Sequence, residues 1–170
     1  MPNPSAHRSA VAYDGDMTGP SPDGSDLVLR PIGVCRTPWA RLADTPKNMR
    51  EARERGGGAR LEIDPAWRAG LEGLAGFTHV IVVAWFAGAD RTLPVQHPRH
   101  LSAPRGVFAL RSPARPNPLG VSVARLMAVD QGAGLVEIDA LDVLDGTPLI
   151  DLKPYFPSVD SVADARTPQG

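Results

Sequence analysis

A single cysteine, Cys35, and only two lysines, Lys47 and Lys153, occur in this 170-residue sequence. One cysteine excludes an intramolecular disulfide and fits a reducing compartment. Set in IGVCRT, Cys35 reads as a small buried strand residue. Net charge is also scarce, at -1, so any polyanion has to be met by a local patch rather than by the whole molecule. No apolar run approaches the roughly 20 residues that span a bilayer, and the N-terminus lacks a signal-peptide core. The cytoplasm is the expected location, with no membrane partner. There is no internal repeat, no glycine-rich turn of the dinucleotide-binding type and no nucleophile elbow. His97 and His100 lack a matching second pair of ligands, so no metal is expected.

What the chain does contain is 42% hydrophobic residues, enough for one globular domain. Residues 1–26, rich in Pro, Ser, Gly and Asp, read as a disordered N-terminal tail. From 27 onward the pattern predicts a mainly β fold, a small single-domain β-barrel with one or two short helices and long loops, running to 157 before a C-terminal tail at 158–170. Strands are expected at 28–36, 61–63, 80–86 (the central one), 106–110, 121–129 and 135–141. Gln131 to Gly134 supplies the hairpin turn between the last two. A short helix is expected at 48–55. A second opens on Asp64 and Pro65, as N-cap and first helical position, and buries Trp67, Leu71 and Leu74 along one face. His79 reads as a hydrogen-bonded core histidine.

Two constellations carry chemistry. In RSPARPNPLGVSVAR at 111–125, three prolines fix φ and remove donors, which places Arg111 and Arg115 on a stiff loop before an alternating strand. A pre-positioned guanidinium fork suits a carboxylate or phosphate. In the second, Asp139, Asp142, Asp145 and Asp151 fall close to Lys153 and Tyr155 around an Asp145-Gly146 turn. That segment is readable either as a polar turn between strands or as a ligand site.

Together FALRSPARPNPLGVS and DVLDGTPLIDLKPY, with PIGVCRTP and GLEGLAGFTH, resemble the TsaA-like family over about 30–157. The resemblance implies a small β-barrel that binds S-adenosyl-L-methionine as a homodimer and methylates N6 of a modified adenosine beside the tRNA anticodon. By motif, Arg111 corresponds to an arginine contacting the cofactor, with Arg115 beside it, and Asp142, Val143, Leu144 and Asp145 to the segment that wraps it. Met49, Arg50 and Glu51 match another cofactor loop, and Ala87 and Gly88 a third. Asp151 and Tyr155 are the candidates for orienting the methyl acceptor or relaying its proton. Bacterial tRNA-modifying members of the family carry a further C-terminal domain, so tRNA binding here falls to an arginine rim of Arg91, Arg99, Arg105, Arg111 and Arg115. Methyl transfer to a small molecule or another RNA, and a non-catalytic S-adenosyl-L-methionine-binding module, remain open alternatives.

Overall fold

The structure is a computed structural model that describes residues 28–98 and 101–168. The expected tail at 1–26 lies outside the described residues, as do Arg99 and His100. Six strands close into a barrel in the order β1 (Gly33–Arg36), β2 (Ala59–Ile63), β7 (Leu135–Ile138), β6 (Leu119–Asp130), β3 (His79–Trp85) and β8 (Pro148–Pro154), every neighbouring pair antiparallel. The expectation of a mainly β barrel holds. A two-stranded ribbon, β4 (Val95–Gln96) with β5 (Arg105–Gly106), stands apart from it.

The barrel interior is filled by alternate residues of each strand: Cys35 from β1, Ala59, Leu61 and Ile63 from β2, Val80, Val82 and Ala84 from β3, Val136 and Ile138 from β7, and Leu149 from β8. Period-2 alternation is the sheet geometry that the aliphatic pattern demands. Cys35 is an inert member of this core, because burial pushes its thiol pKa up to about 12 and so keeps it protonated. The central strand β3 pairs with β6 on one side and β8 on the other.

Several expectations change on contact with the tertiary structure. The strand expected at 28–36 shortens to Gly33–Arg36, Pro31 having no N–H to contribute to a ladder. The helix after Asp64 is a 3-10 segment, Pro65–Leu71, in which the Asp64 side chain makes no cap hydrogen bond and Trp67 is 53% exposed; only Leu71 and Leu74 reach the core. The expected strand at 106–110 is instead a 3-10 turn, Val107–Ala109. The largest change lies at 148–154, part of the segment open to a polar-turn or a ligand-site reading, which forms β8 and seals the barrel against both β1 and β3. By contrast the alternation expected in β6 holds, with Ala124 buried while Val121 and Val123 face outward. Likewise α1 (Met49–Glu54) forms within the helix expected at 48–55, with the Asn48 side chain accepting from the Glu51 N–H at 3.0 Å.

β1 and β2 approach so closely that a Cβ placed on Gly33 would stand 2.0 Å from the Glu62 carbonyl oxygen. Backbone cannot yield as a flexible side chain does, so Gly33→Ala is expected to cost about 3 kcal/mol, the upper end of ordinary overpacking. Urea denaturation checks this, as a lower midpoint with unchanged slope.

Candidate functional site

β6 is twelve residues long, but β7 pairs with it only from Leu126 onward. Over Leu119 to Ala124 its partner is β3 alone, and backbone carbonyls on the open edge need other donors. Arginines supply them. Arg111 donates from Nη2 to the Val121 carbonyl at 2.6 Å, and Arg53 of α1 donates from Nη2 to the Val123 carbonyl at 2.9 Å. Arg53 is also held by Asp139, with Nε to Oδ2 at 2.7 Å.

A cavity of about 1420 Å³ opens along this edge. Its lining brings together Met49 and Arg50 from α1, Ala87 and Gly88 from the turn after β3, Arg111 and Arg115 from the proline loop, and Asp142, Val143, Leu144 and Asp145 from the loop before β8. Four segments distant in sequence thus share one space. Of the residues expected at a cofactor site, Glu51 is the exception: it faces away, its carboxylate accepting from the Lys47 N–H at 3.1 Å and pairing with Arg55 at 3.2 Å. The Lys47 N–H first, and then Arg55, hold that carboxyl below its ordinary range.

Each wall is braced by backbone contacts. The loop 141–147 is fastened to the chain after β1: Trp39 Nε1 donates to the Leu141 carbonyl at 2.8 Å, Thr37 Oγ1 to the Val143 carbonyl at 2.9 Å, and Gly146 N–H to the Cys35 carbonyl at 2.9 Å. Asp145 is partly committed, since its Oδ1 accepts from the Thr37 N–H at 3.0 Å. Asp142 is the freer carboxylate, accepting among the described residues only from Ser122 Oγ at 3.0 Å. The proline loop is fixed through its carbonyls. Arg91 Nε donates to Pro116 at 2.7 Å, Gln96 Nε2 to Ala114, and the Phe86 N–H to Pro118 at 2.9 Å. Arg115 turns inward and donates from Nη2 to the Val107 and Leu110 carbonyls, at 2.9 and 2.7 Å, while its buried Nε has no partner among the described residues.

Trp85, Phe86 and Leu119 give the cavity apolar wall, while Lys47, Arg50, Arg53, Arg111 and Arg115 outnumber Asp142 and Asp145 around it. Such a lining suits a ligand with an aromatic body, one anionic end and one cationic end. Arg53, Ser122, Trp85 and Phe86 escaped the sequence reading, because only the unpaired edge of β6 brings them to the same place.

The sequence from 34 to 161 matches the family model for the tRNA-methyltransferase O N-terminal domain. The chain belongs to the TrmO N-terminal domain family. Among relatives, a probable S-adenosyl-L-methionine-binding protein of Archaeoglobus fulgidus is 39% identical over 81% of this chain and 36% of its own length. A protein of the same description from Methanothermobacter thermautotrophicus is 35% identical over 81% of this chain and 96% of its own length. The tRNA (adenine(37)-N6)-methyltransferase of Escherichia coli K12 is 32% identical, covering 83% of this chain and 63% of that enzyme. A crystal structure of TrmO superposes with a TM-score of 0.70 at 34% identity, over 85% of this chain and 64% of that one. The chain therefore spans about a third of the A. fulgidus relative, less than two thirds of the E. coli enzyme, and nearly all of the M. thermautotrophicus protein.

Asp151 and Tyr155 lie beyond this cavity. Asp151 faces outward on β8 and pairs with Lys153 at 2.6 Å, which raises the ammonium above its ordinary range. Tyr155 lines a smaller hollow of about 560 Å³ together with Arg53, His79, Val123, Arg125 and Asp139. Arg53 and Val123 belong to both linings, so the two spaces adjoin. His79, expected in the core, is instead half-buried on the outer face, with its Nδ1 2.9 Å from Thr78 Oγ1. Among the described residues no group of three or more His, Cys, Asp or Glu is placed to hold a metal ion.

The two loop arginines are expected to separate by experiment. Arg115→Ala removes two charge-assisted hydrogen bonds to backbone and should cost about 1.5 to 3 kcal/mol of stability, whereas Arg111→Ala, with one such bond on an exposed side chain, should cost about 1 kcal/mol or less. Thermal and urea unfolding of the two variants side by side measure the difference.

Proposed function

We propose that this chain is an S-adenosyl-L-methionine-dependent methyltransferase acting on tRNA, with the methyl donor held in the large cavity at the open edge of β6. The observation that carries the reading is the meeting of α1, the turn after β3, the proline loop and the loop before β8 around one space that holds both free guanidinium and free carboxylate groups. Arg111 uses one Nη2 contact on Val121 and keeps its remaining N–H groups for the donor's carboxylate. Asp142 offers an oxygen to the ammonium or to ribose hydroxyls, and Trp85 and Phe86 give apolar wall to the adenine. When bound, the donor supplies an electrophilic methyl group on a sulfonium.

The protein's own work is positioning and exclusion of water. An exocyclic aromatic amine has its lone pair spread into the ring, so the site has to align it and accept its proton as the methyl arrives. Tyr155, in the hollow that adjoins the cavity, is suited to orient the acceptor. Asp151 carries the same proposed role from the outer face of β8, where Lys153 already holds its carboxylate. The tRNA assignment draws on the named activity of the E. coli relative and on the excess of basic residues around the cavity, and it puts the reaction in the cytoplasm.

A homodimer belongs to the same reading. Val121 and Val123 on β6 sit opposite Val83 and Ile81 on β3, an outward aliphatic face beside the cavity mouth, with Val121 47% and Val123 39% exposed. A second copy seated there would bury that face and close the site against water.

Calorimetry with S-adenosyl-L-methionine is expected to show saturable binding that Arg111→Ala weakens by about 1.5 to 3 kcal/mol while the fold is kept. Methyl transfer to tRNA should fall steeply as salt rises, because each neutralised phosphate releases counterions, and Arg50→Ala or Arg105→Ala should flatten that slope. A protein that binds the donor yet methylates no tRNA would redirect the search to a small-molecule acceptor.

A further inference from the structure

His79 opens β3, Arg125 lies directly across from it on β6, and Tyr155 follows β8, its N–H bonded to the His79 carbonyl at 3.0 Å. Three adjacent strands therefore deliver an imidazole, a guanidinium and a phenol to one end of the outer face. His79 and Tyr155 meet edge to face, ring centroids 6.3 Å apart.

The charges around this hollow are unequal in their commitments. Arg53 is spent on Asp139 and the Val123 carbonyl. Asp139 is spent on Arg53 and on the Arg125 N–H, which it accepts at 2.8 Å. That leaves the Arg125 guanidinium, the Tyr155 hydroxyl and the His79 Nε2 without partners among the described residues. One carboxylate balances one of the two guanidinium groups, so the hollow carries surplus positive charge together with neutral donors. Its backbone is nonetheless fixed, through the Asp139 contact and the β3–β6 pairing.

We infer that this hollow is an oxyanion subsite for the methyl acceptor: the Arg125 fork and the Tyr155 hydroxyl receive a carboxylate or phosphate carried by the acceptor, with His79 Nε2 as a further donor. An acceptor held there by its anionic group extends past Val123, which with Arg53 belongs to both linings, and presents its nucleophile to the donor cavity. A planar fork can donate to two oxygens of a carboxylate or phosphate at once, and a neighbouring phenol can donate to a remaining lone pair. Calling the ligand an acceptor rests on the methyl-transfer reading; the affinity for an oxyanion rests on the geometry alone.

The test is an NMR titration of the arginine Nε–H signals at constant ionic strength, using inorganic phosphate in one arm and acetate in the other. The Arg125 signal, assigned by its loss in Arg125→Lys, is expected to shift saturably with at least one anion. Tyr155→Phe should weaken that binding about tenfold, the worth of one hydrogen bond to a charged group. Arg60→Ala, on a distant exposed position of β2, should leave it unchanged. Tighter binding of acetate assigns a carboxylate on the acceptor, and tighter binding of phosphate its backbone. In the same Tyr155→Phe protein, S-adenosyl-L-methionine affinity should stay within about twofold of wild type and KM for tRNA should rise more than kcat falls. Absence of a saturable shift with both anions overturns the subsite. Anion binding in a protein that fails to bind S-adenosyl-L-methionine overturns the methyltransferase reading and leaves the subsite standing.

Discussion

Strand β6 pairs with β3 from Leu119 to Arg125 and receives β7 only from Leu126 onward, and the site depends on that mismatch. A strand edge inside a folded protein has to find donors for its carbonyls. Here they come from guanidinium groups, Arg111 for Val121 and Arg53 for Val123. Satisfying the edge with long cationic side chains rather than a neighbouring strand leaves space beside it and lines that space with charge. A longer β7 would fill the gap, complete the ladder and remove the cavity.

Around that gap the protein separates groups that hold the walls from groups left available. Asp145, Arg115 and Glu51 have the chemistry of ligand contacts but are spent on backbone: Asp145 on the Thr37 N–H, Arg115 on two carbonyls, Glu51 on the Lys47 N–H. Asp142 and Arg111 sit beside them with most of their hydrogen-bonding capacity free. Rigidity of the first set lowers the ordering cost of using the second. The prolines at 113, 116 and 118 act in the same direction, since their carbonyls, or those next to them, are the acceptors that Arg91, Gln96 and Phe86 use.

Much of this was legible from residue patterns. The aliphatic run at 80–86 appears as β3, Asn48 appears as a helix cap, and the turn at 131–134 joins β6 to β7. The motif residues Arg111, Asp142, Val143 and Leu144 arrive at one cavity with Met49, Arg50, Ala87 and Gly88. The misreadings share a cause. Alternation at Val121 to Ala124 shows that the strand has two faces but not which one is inside. Trp67 at i with Leu71 and Leu74 fits a helix, yet the segment is a 3-10 turn whose tryptophan finds no neighbouring element to cover it. Segment 148–154 was not expected as a strand because Asp151 and Lys153 face out and few apolar residues, Leu149 and Leu152 among them, mark the inner side.

By itself, then, the sequence determined local matters: that 80–86 is a strand, that Asn48 caps a helix, that 131–134 is a turn, and that Cys35 is a core residue. These follow from periodicity and side-chain type, which act over a few residues. Only the tertiary structure decided that β8 closes the barrel, that the first half of β6 has a strand on one edge only, that Asp145 and Arg115 are spent on backbone, and that Arg125, His79 and Tyr155 share a hollow next to the larger cavity. Each of those depends on contacts between segments tens of residues apart in the chain, where strand register and the competition for unpaired backbone groups, rather than local propensity, determine what a side chain meets.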